Sequence, residues 1–395
     1  MDPRLRQARY AVFAVFFVLG LATAAWLVSI PAVQLRTGVS HAALGGLLLV
    51  LGLGAVAGMQ IAGYAITRWG SKVVTGASIG LSVIAVNLPV HATGALTLGL
   101  ALLVFGLATG AADVAMNDQA VIVERGYGRP IMSAFHAFWS IGAAIGALLG
   151  AAVQGLAHSV GVAVFITSVA IAVIGVVFVR WLLPYGWDAP SVDAAGTATP
   201  AGPLPRKVRA RLIGFGVLAF LLMLSEGVAN DWSALHAVEH LGRSPSSAAL
   251  AYATYAVAMT IGRLGVDRIA GRYGPAFVVR YGSLAAAIGI GVVMASPWFA
   301  LTLVGWAVYG LGLAGLIPQL FTAAGNIGGT QQSIVLSRVV GAGYVGQLAG
   351  PAVVGAVAGW VGLNLSFVIP LLCCVAAVVV APIVSRRNTA EAIAP

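Results

Sequence analysis

The chain has 395 residues, of which 60% are hydrophobic and only 8% are charged, and its formal net charge is +10. Because a soluble globular domain carries about 25% charged residues, this composition excludes an ordinary water-soluble fold, and the mean hydropathy of +0.99 indicates a surface covered mainly by lipid. The basic residues stand in short runs between apolar segments, which is typical of membrane topology and argues against a nucleic-acid partner.

Twelve apolar runs of about membrane-spanning length follow one another, so we predict an all-α integral membrane fold of twelve transmembrane helices. The first run is longer than the apolar core of a signal peptide, and we interpret it as helix 1. The adjacent Cys373 and Cys374 lie inside the last run and indicate neither a disulfide framework nor a metal site. The predicted helices span 10–33, 43–66, 73–90, 96–117, 131–155, 161–183, 210–233, 247–267, 275–295, 299–323, 333–357 and 364–385.

The basic residues also predict the orientation of these helices. An even number of spans places both termini on one side of the membrane. If that side is the cytoplasm, every Lys and Arg except Arg36 and Arg243 lies on it or near it. We therefore expect a multi-pass protein with both termini in the cytoplasm.

A stretch rich in Pro, Gly and Thr near the middle of the chain is typical of a flexible linker. We predict an N-terminal six-helix bundle at 1–184, a cytoplasmic linker loop at 185–206 and a C-terminal six-helix bundle at 207–395. Three glycines recur at an interval of 204 positions, which indicates two pseudo-symmetric halves. On helices 5 and 11 we expect them to serve close helix packing. The pairs are Gly106 and Gly310, Gly142 and Gly346, and Gly146 and Gly350.

Two loops carry related short motifs. The loop after helix 2 reads GYAITRWGSK (63–72), and the loop after helix 8 reads GRLGVDRIAGRYG (262–274). Helix 11 adds the glycine-proline run GQLAGPAVVG (346–355). Together with the two-by-six topology, these motifs resemble the major facilitator superfamily over nearly the whole chain. Thr67 stands where the first loop of the family usually has Asp, whereas the second loop keeps Asp267.

Three further segments refine this resemblance. DVAMN (113–117), FHAFWS (135–140) and EGVANDWS (226–233) are similar to poorly characterised bacterial members near the fucose-permease-like branch. The resemblance implies a location in the bacterial cytoplasmic membrane, a small-molecule substrate and alternating access. It also implies that helices 1, 4, 7 and 10 line a central cavity.

Two acids lie deep in predicted helices, where an ionisable residue raises the free energy of membrane insertion by about 2.5–3.5 kcal/mol. The resemblance puts Asp113 of helix 4 and Glu226 of helix 7 on cavity-lining helices of opposite halves. Glu226 has no basic residue of comparable depth in the sequence, so we expect it to be the main proton-coupling residue, with Asp113 second. A structural ion pair with Arg338 is the alternative for Asp113, and solvation near the outer interface is the alternative for Asp231.

Several polar and aromatic side chains are candidates for a substrate cavity. Asn117 and Asn230 share helix faces with the two acids, and His136 is the only histidine well within a predicted span. A hydrogen-bonded core histidine is the alternative for His136, and packing or an interfacial belt is the alternative for the aromatic residues. The other candidates are Trp26, Tyr252, Tyr255, Trp306, Tyr309, Gln319, Tyr344 and Gln347.

The loop motifs predict a cytoplasmic gate. The family pattern places Asp267 opposite the positive end of helix 5, with Arg129 close by. In the other half, we expect the Thr67 hydroxyl to cap the start of helix 11 without a full charge. The gate candidates are Arg68, Thr67, Asp267, Arg268, Arg129 and Arg338.

The sequence has no phosphate-binding loop of an ATPase and no zinc-protease or Gly-x-Ser-x-Gly signature, so we expect no enzyme, cofactor or metal. Our prediction is a monomeric secondary active transporter of a small organic solute, with protons as the coupling ion and a sugar-like solute favoured. Efflux of amphipathic compounds is the alternative. A membrane receptor or scaffold is an alternative of another class, and an intramembrane enzyme would need a catalytic cluster that we do not find.

Overall fold

The computed structural model of the protein describes residues 2–157, 159–187, 206–243, 245–327 and 331–385. These residues form helices joined by short turns, and they contain no strand. Most of the predicted linker lies outside the described residues.

The described residues form thirteen α-helices. Most begin where an apolar run begins, but several continue past its end. The helices are α1 (Pro3–Thr37), α2 (His41–Ala85), α3 (Ala95–Tyr127), α4 (Met132–Ala157), α5 (Val160–Val179), α6 (Arg206–Glu239), α7 (Pro245–Tyr273), α8 (Pro275–Ala295), α9 (Phe299–Leu313), α10 (Leu316–Gly325), α11 (Gln332–Val361), α12 (Leu363–Ser366) and α13 (Val368–Val380).

These helices correspond to the twelve predicted segments. At 1.5 Å per residue, the 45 residues of α2 would span about 67 Å, more than twice the hydrocarbon thickness of a membrane. Gly70 interrupts α2 with φ 78° and ψ 153°, a conformation that favours glycine, so α2 contains both helix 2 and helix 3. Helix 10 consists of α9 and α10, and helix 12 contains α12 and α13.

In the described part of the chain, ten helical stretches are long and apolar enough to cross a membrane. That set counts α2 once and omits α7, whose C-terminal turns carry four charged residues from Arg263 to Arg272. The split at Gly70 and the inclusion of α7 account for the difference from twelve. The prediction of an all-α membrane fold is confirmed.

The same close helix contact occurs in both halves. A Cβ atom at Gly106 would lie 2.1 Å from the carbonyl oxygen of Leu51, and one at Gly310 would lie 2.4 Å from that of Tyr255. Leu51 and Tyr255 are 204 positions apart, as are the two glycines. Only glycine permits this approach of two backbones. The repeated contact supports the predicted duplication.

The chain divides into two compact units. Unit 1 comprises Met1–Arg129, Phe138–Pro203 and Gly328–Arg338, and in it α2 packs against α3 and α1 against α5. Unit 2 comprises Pro130–Ala137, Leu204–Ile327 and Val339–Pro395, and in it α9 packs against α7 and α8. The first turns of α4 thus belong to unit 2, and those of α11 belong to unit 1. The bundle boundaries taken from the sequence stay predictions.

Candidate functional site

The acid predicted to couple protons has a basic partner in unit 2. Nη2 of Arg263 on α7 lies 3.4 Å from Oε1 of Glu226 on α6, and the two side chains are 7% and 17% exposed. The expectation that Glu226 has no counter-ion is therefore wrong. The sequence placed Arg263 in a cytoplasmic loop motif, but α7 continues to Tyr273 and keeps Arg263 almost three turns inside the helix.

Asp267 lies one turn beyond Arg263 on α7 and holds the start of α4. Its Oδ1 accepts a hydrogen bond from the backbone N–H of Ser133 at 3.1 Å, and its Oδ2 accepts one from that of Ala134 at 2.9 Å. These amides are among the unpaired donors of a helix N-terminus, where a carboxylate is stabilised by the helix dipole. Gln319 adds a longer contact to Asp267 Oδ1, at 3.4 Å. The contact expected between Asp267 and helix 5 is thus present.

His136 lies in the second turn of α4, close to these groups. Its Nδ1 is 3.1 Å from the carbonyl oxygen of Met132, its ring centroid is 6.1 Å from that of Phe321, and it lies within electrostatic range of Arg263. Polar side chains of α4, α6, α7 and α10 therefore gather in unit 2. His136 keeps the hydrogen bond expected for a core histidine.

A second histidine, His236, is buried in the last turn of a spanning helix. α6 continues to Glu239, six residues past the end of the apolar run, and this extension includes His236. His236 is fully buried, and its Nε2 is 2.9 Å from Oδ1 of Asn364. Nδ2 of Asn364 donates to the carbonyl oxygen of Met294 at 3.1 Å. This chain of contacts joins α6 and α8 through α12.

The aromatic candidates of unit 2 differ in exposure. Tyr255, Trp306 and Tyr309 are buried together, and the Tyr309 hydroxyl donates to the carbonyl oxygen of Ser225 at 2.9 Å. Their ring centroids lie 5.8–6.3 Å apart, which is typical of aromatic core packing. Tyr252 is 44% exposed. Its place in a substrate cavity stays a prediction, as does that of the remaining candidates. Of these, Gln319 is buried, Asn230 is exposed, and Tyr344 and Gln347 are half-buried.

In unit 1, Asp113 and Asn117 share a face of α3, as expected. Both are buried, and Nδ2 of Asn117 donates to the carbonyl oxygen of Asp113 at 2.8 Å and lies 3.5 Å from its Oδ1. Arg338 is exposed, and its ion pair with Asp113 stays an alternative. Trp26 of α1 is also buried. The coupling role of Asp113 stays a prediction.

The sequence analysis missed two buried acids of unit 1, Asp118 and Glu124, and the contacts of Asp118 are the clearer. Oδ1 of Asp118 on α3 accepts hydrogen bonds from Oγ of Ser333 at 2.8 Å and from Nε2 of Gln332 at 3.0 Å. Oε1 of Gln332 in turn accepts one from Nη2 of Arg125 at 2.8 Å. The apolar run of helix 4 ends at Asn117, whereas α3 continues to Tyr127. Had the predicted helix been extended past Asn117, Asp118 would have been recognised as a candidate residue.

The gate candidates on the loops are mostly exposed. Thr67 is exposed, and its hydroxyl donates to the carbonyl oxygen of Tyr64 in its own helix at 2.7 Å. The prediction that Thr67 caps helix 11 stays a prediction. Arg68, Arg129 and Arg268 are exposed, and their gating roles stay predictions.

Buried acids within a bundle of membrane-spanning helices are typical of membrane proteins that move a solute or an ion. A sequence profile of the Major Facilitator Superfamily matches residues 215–394. An uncharacterised MFS-type transporter of Yersinia pestis is 37% identical over 355 residues, 89% of each chain. Membrane protein MosC of Rhizobium meliloti is 34% identical over 366 residues, 92% of this chain and 86% of that one. The chain therefore belongs to the major facilitator superfamily.

Solved structures show the same fold at low sequence identity. The transporter FucP in its outward conformation has a TM-score of 0.78 at 14% identity, over 95% of this chain and 98% of that one. The proton:xylose symporter XylE has a TM-score of 0.72 at 12% identity, over 95% and 94% of the two chains. As a member of this superfamily, the protein is a secondary transporter, and the family is generally not enzymatic.

Proposed function

We propose that the chain is a proton-coupled symporter that carries a small, polar, sugar-like solute across the bacterial cytoplasmic membrane. The observation that supports this most directly is the pair of Glu226 and Arg263 within the helices of unit 2, at 3.4 Å. A charged pair inside a membrane protein is costly to keep and is commonly part of a transport pathway.

The pair gives a means of coupling. While Glu226 is ionised, the charge of Arg263 is balanced. Burial away from water disfavours the ionised carboxylate, and exposure to water favours it. A proton that arrives at Glu226 from one side would neutralise the carboxylate and release Arg263, and loss of the proton to the other side would restore the pair. Asp113 in unit 1 is the second candidate for such a cycle.

Side chains near the pair suit a polar ring. Asn230 lies one turn from Glu226 on α6 and is exposed, and Tyr252 of α7 is 44% exposed and within electrostatic range of Glu226. A tyrosine face packs against the apolar face of a sugar, and an amide both donates and accepts hydrogen bonds to hydroxyl groups. The solved neighbours with this fold include a fucose:proton symporter and a proton:xylose symporter.

The test is uptake by the purified protein in liposomes. Radiolabelled pentoses, hexoses, deoxyhexoses and polyols would be offered with and without an inward proton gradient. We expect gradient-driven accumulation of at least one sugar-like solute. Gradient-driven extrusion of amphipathic dyes without sugar uptake would instead support the efflux alternative. Uptake that does not change when the proton gradient is imposed would contradict proton coupling.

A further inference from the structure

We propose that unit 1 binds one acidic phospholipid, such as phosphatidylglycerol, at a cavity between the end of helix 3 and the first half of helix 6. The phosphate is held at the rim of the cavity, and the upper part of one acyl chain lies inside it. None of the residues named above for coupling, solute binding or gating lines this cavity. The proposal depends on insertion in a membrane, but not on the identity of the solute or of the coupling ion.

The cavity lies between α2, the short 3-10 helix that follows it (Pro89–His91) and α5, and its volume is about 460 Å³. Ligand pockets of proteins have volumes of about 300–1,000 Å³. Ile84 and Phe165 in its lining are each 62% exposed, and exposed apolar patches of this kind mark contact with a membrane or a partner. The apolar lining residues are Val83, Ile84, Leu88, Phe165, Val169 and Ala172.

The polar lining residues lie mostly at one end of the cavity. In the predicted orientation, helix 3 ends and helix 6 begins at the outer side. Asn87 and His91 are therefore nearest the headgroup region, and Val83 and Ala172 are deepest. Nδ2 of Asn87 donates to the carbonyl oxygen of Val83 at 2.8 Å, so the amide oxygen is available as an acceptor. The third polar residue, Ser168, donates to a carbonyl oxygen of its own helix at 2.8 Å. A polar rim above an apolar groove follows the order of headgroup and chain in a phospholipid.

A positive charge lies beside this rim and selects an anion. Nη1 of Arg36, near the end of α1, donates to the carbonyl oxygen of Val90, the residue before His91. Arg36 is exposed, so the guanidinium donors that Val90 does not use can bind a phosphate oxygen. No Asp or Glu occurs at 3–112 or 125–187, which include every segment of unit 1 that we predict at the outer side. This end of unit 1 is therefore positively charged, and it complements an acidic headgroup.

The shape of the site favours a lipid over a free anion. The lining of α5 extends from Phe165 to Ala172, about 10 Å along the helix, which accommodates the upper part of an acyl chain. A free anion would use only the rim, whereas a phospholipid joins the charged group and the chain in one molecule. Basic sites beside membrane-spanning helices bind acidic headgroups in this way. Phosphatidylglycerol also has hydroxyl groups that Asn87 can accept, whereas the choline of phosphatidylcholine cancels the charge of its phosphate.

The experiment is native mass spectrometry of the delipidated protein in detergent, titrated with phosphatidylglycerol or with phosphatidylcholine of the same chains. We expect the wild type to bind the first phosphatidylglycerol about tenfold more tightly than phosphatidylcholine, because only phosphatidylglycerol has a net charge opposite to that of Arg36. Arg36→Gln should remove most of this preference. Ala172→Phe should weaken the binding of both lipids, because the larger side chain fills the deep end of the cavity.

Two matched controls separate this site from the general contact of the helices with lipid. Val173→Phe enlarges the next side chain, which is 58% exposed and does not line the cavity, and Arg243→Gln removes the other basic residue of the outer side. Both variants should bind lipid as the wild type does. Glycerol phosphate, which has the charged group but no chain, should not compete.

Four results would each overturn the proposal. The first is equal binding of the two lipids by the wild type. The second is an equal loss of preference in Arg36→Gln and Arg243→Gln, or no loss in either. The third is the same lipid binding by Ala172→Phe and Val173→Phe. The fourth is displacement of phosphatidylglycerol by glycerol phosphate, which would show that the rim binds a water-soluble anion.

Discussion

Arg263 and Asp267 lie four residues apart on α7, and each contacts a different helix of unit 2. Arg263 is 3.4 Å from Glu226 on α6, and Asp267 accepts two backbone hydrogen bonds from the first turn of α4. Residues at this spacing are neighbours on a helix surface. Loss of the charge at Glu226 would therefore leave Arg263 beside the acid that holds α4, so we expect events at Glu226 to influence the α4 contact.

Glu226→Gln tests the coupling role of this acid. The amide keeps the shape and hydrogen-bonding capacity of the carboxylate but cannot exchange a proton. We expect the variant to lose accumulation driven by an imposed pH gradient and to keep solute exchange across liposomes. Both are measured with labelled solute, and Glu239→Gln, at an exposed position on the same helix, is the control. Normal gradient-driven accumulation by Glu226→Gln would show that another residue couples protons.

The ion pair itself is tested by a double-mutant cycle. Arg263→Gln leaves Glu226 without this partner in a largely buried position. We expect the free energy of unfolding to fall by about 1–3 kcal/mol. The decrease should be smaller than for a fully buried pair, because Glu226 is 17% exposed. The double variant with Glu226→Gln should recover part of this loss, because both charges are then removed. Thermal unfolding in detergent gives the comparison. Strictly additive effects of the two substitutions would show that the pair contributes no coupling energy.

The sequence predicted the twelve helical segments and the glycine contacts because hydropathy and residue size act locally. It did not predict the partner of Glu226 or the contacts of Asp118 with α11. Hydropathy marks the part of a helix that lipid covers, whereas α3 and α7 continue to Tyr127 and Tyr273. The loop motif at 262–274 drew Arg263 into a loop although the predicted helix 247–267 contains it, and the apolar run of helix 4 ended one residue before Asp118. Contacts between two helices depend on the tertiary fold, and the repeat interval indicates only which helices correspond in the two halves.

Asp267→Asn and Thr67→Ala should have unequal effects on the gate. Asp267 binds two N–H groups at the start of α4. Removing its charge should weaken this contact by up to about 2 kcal/mol of free energy. Thr67 is exposed and bonded within its own helix, so its loss should change little. Labelling of a cysteine at Met132, which is fully buried in α4, measures the opening. We expect faster labelling only with Asp267→Asn, and equal acceleration by both changes would contradict this assignment.

The glycines on helices 5 and 11 give a prediction about packing alone. A Cβ atom at Gly142 would lie 2.1 Å from the carbonyl oxygen of Phe17 on α1, and one at Gly346 would lie 2.2 Å from that of Phe220 on α6. Neither distance permits a methyl group, and because each oxygen belongs to a helix backbone, the helices must separate. The prediction that these glycines serve close helix packing is confirmed, and it leads to a quantitative expectation for their replacement.

We expect Gly142→Ala and Gly346→Ala each to destabilise the protein by about 1–3 kcal/mol, even though alanine is the better helix former by about 1 kcal/mol. Gly45→Ala is the matched control, because a Cβ atom there would meet nothing within 4 Å. That variant should be neutral or slightly stabilised. Thermal unfolding in detergent separates the two cases, and similar changes in all three variants would mean that helix propensity, rather than the approach of the two backbones, determines the cost.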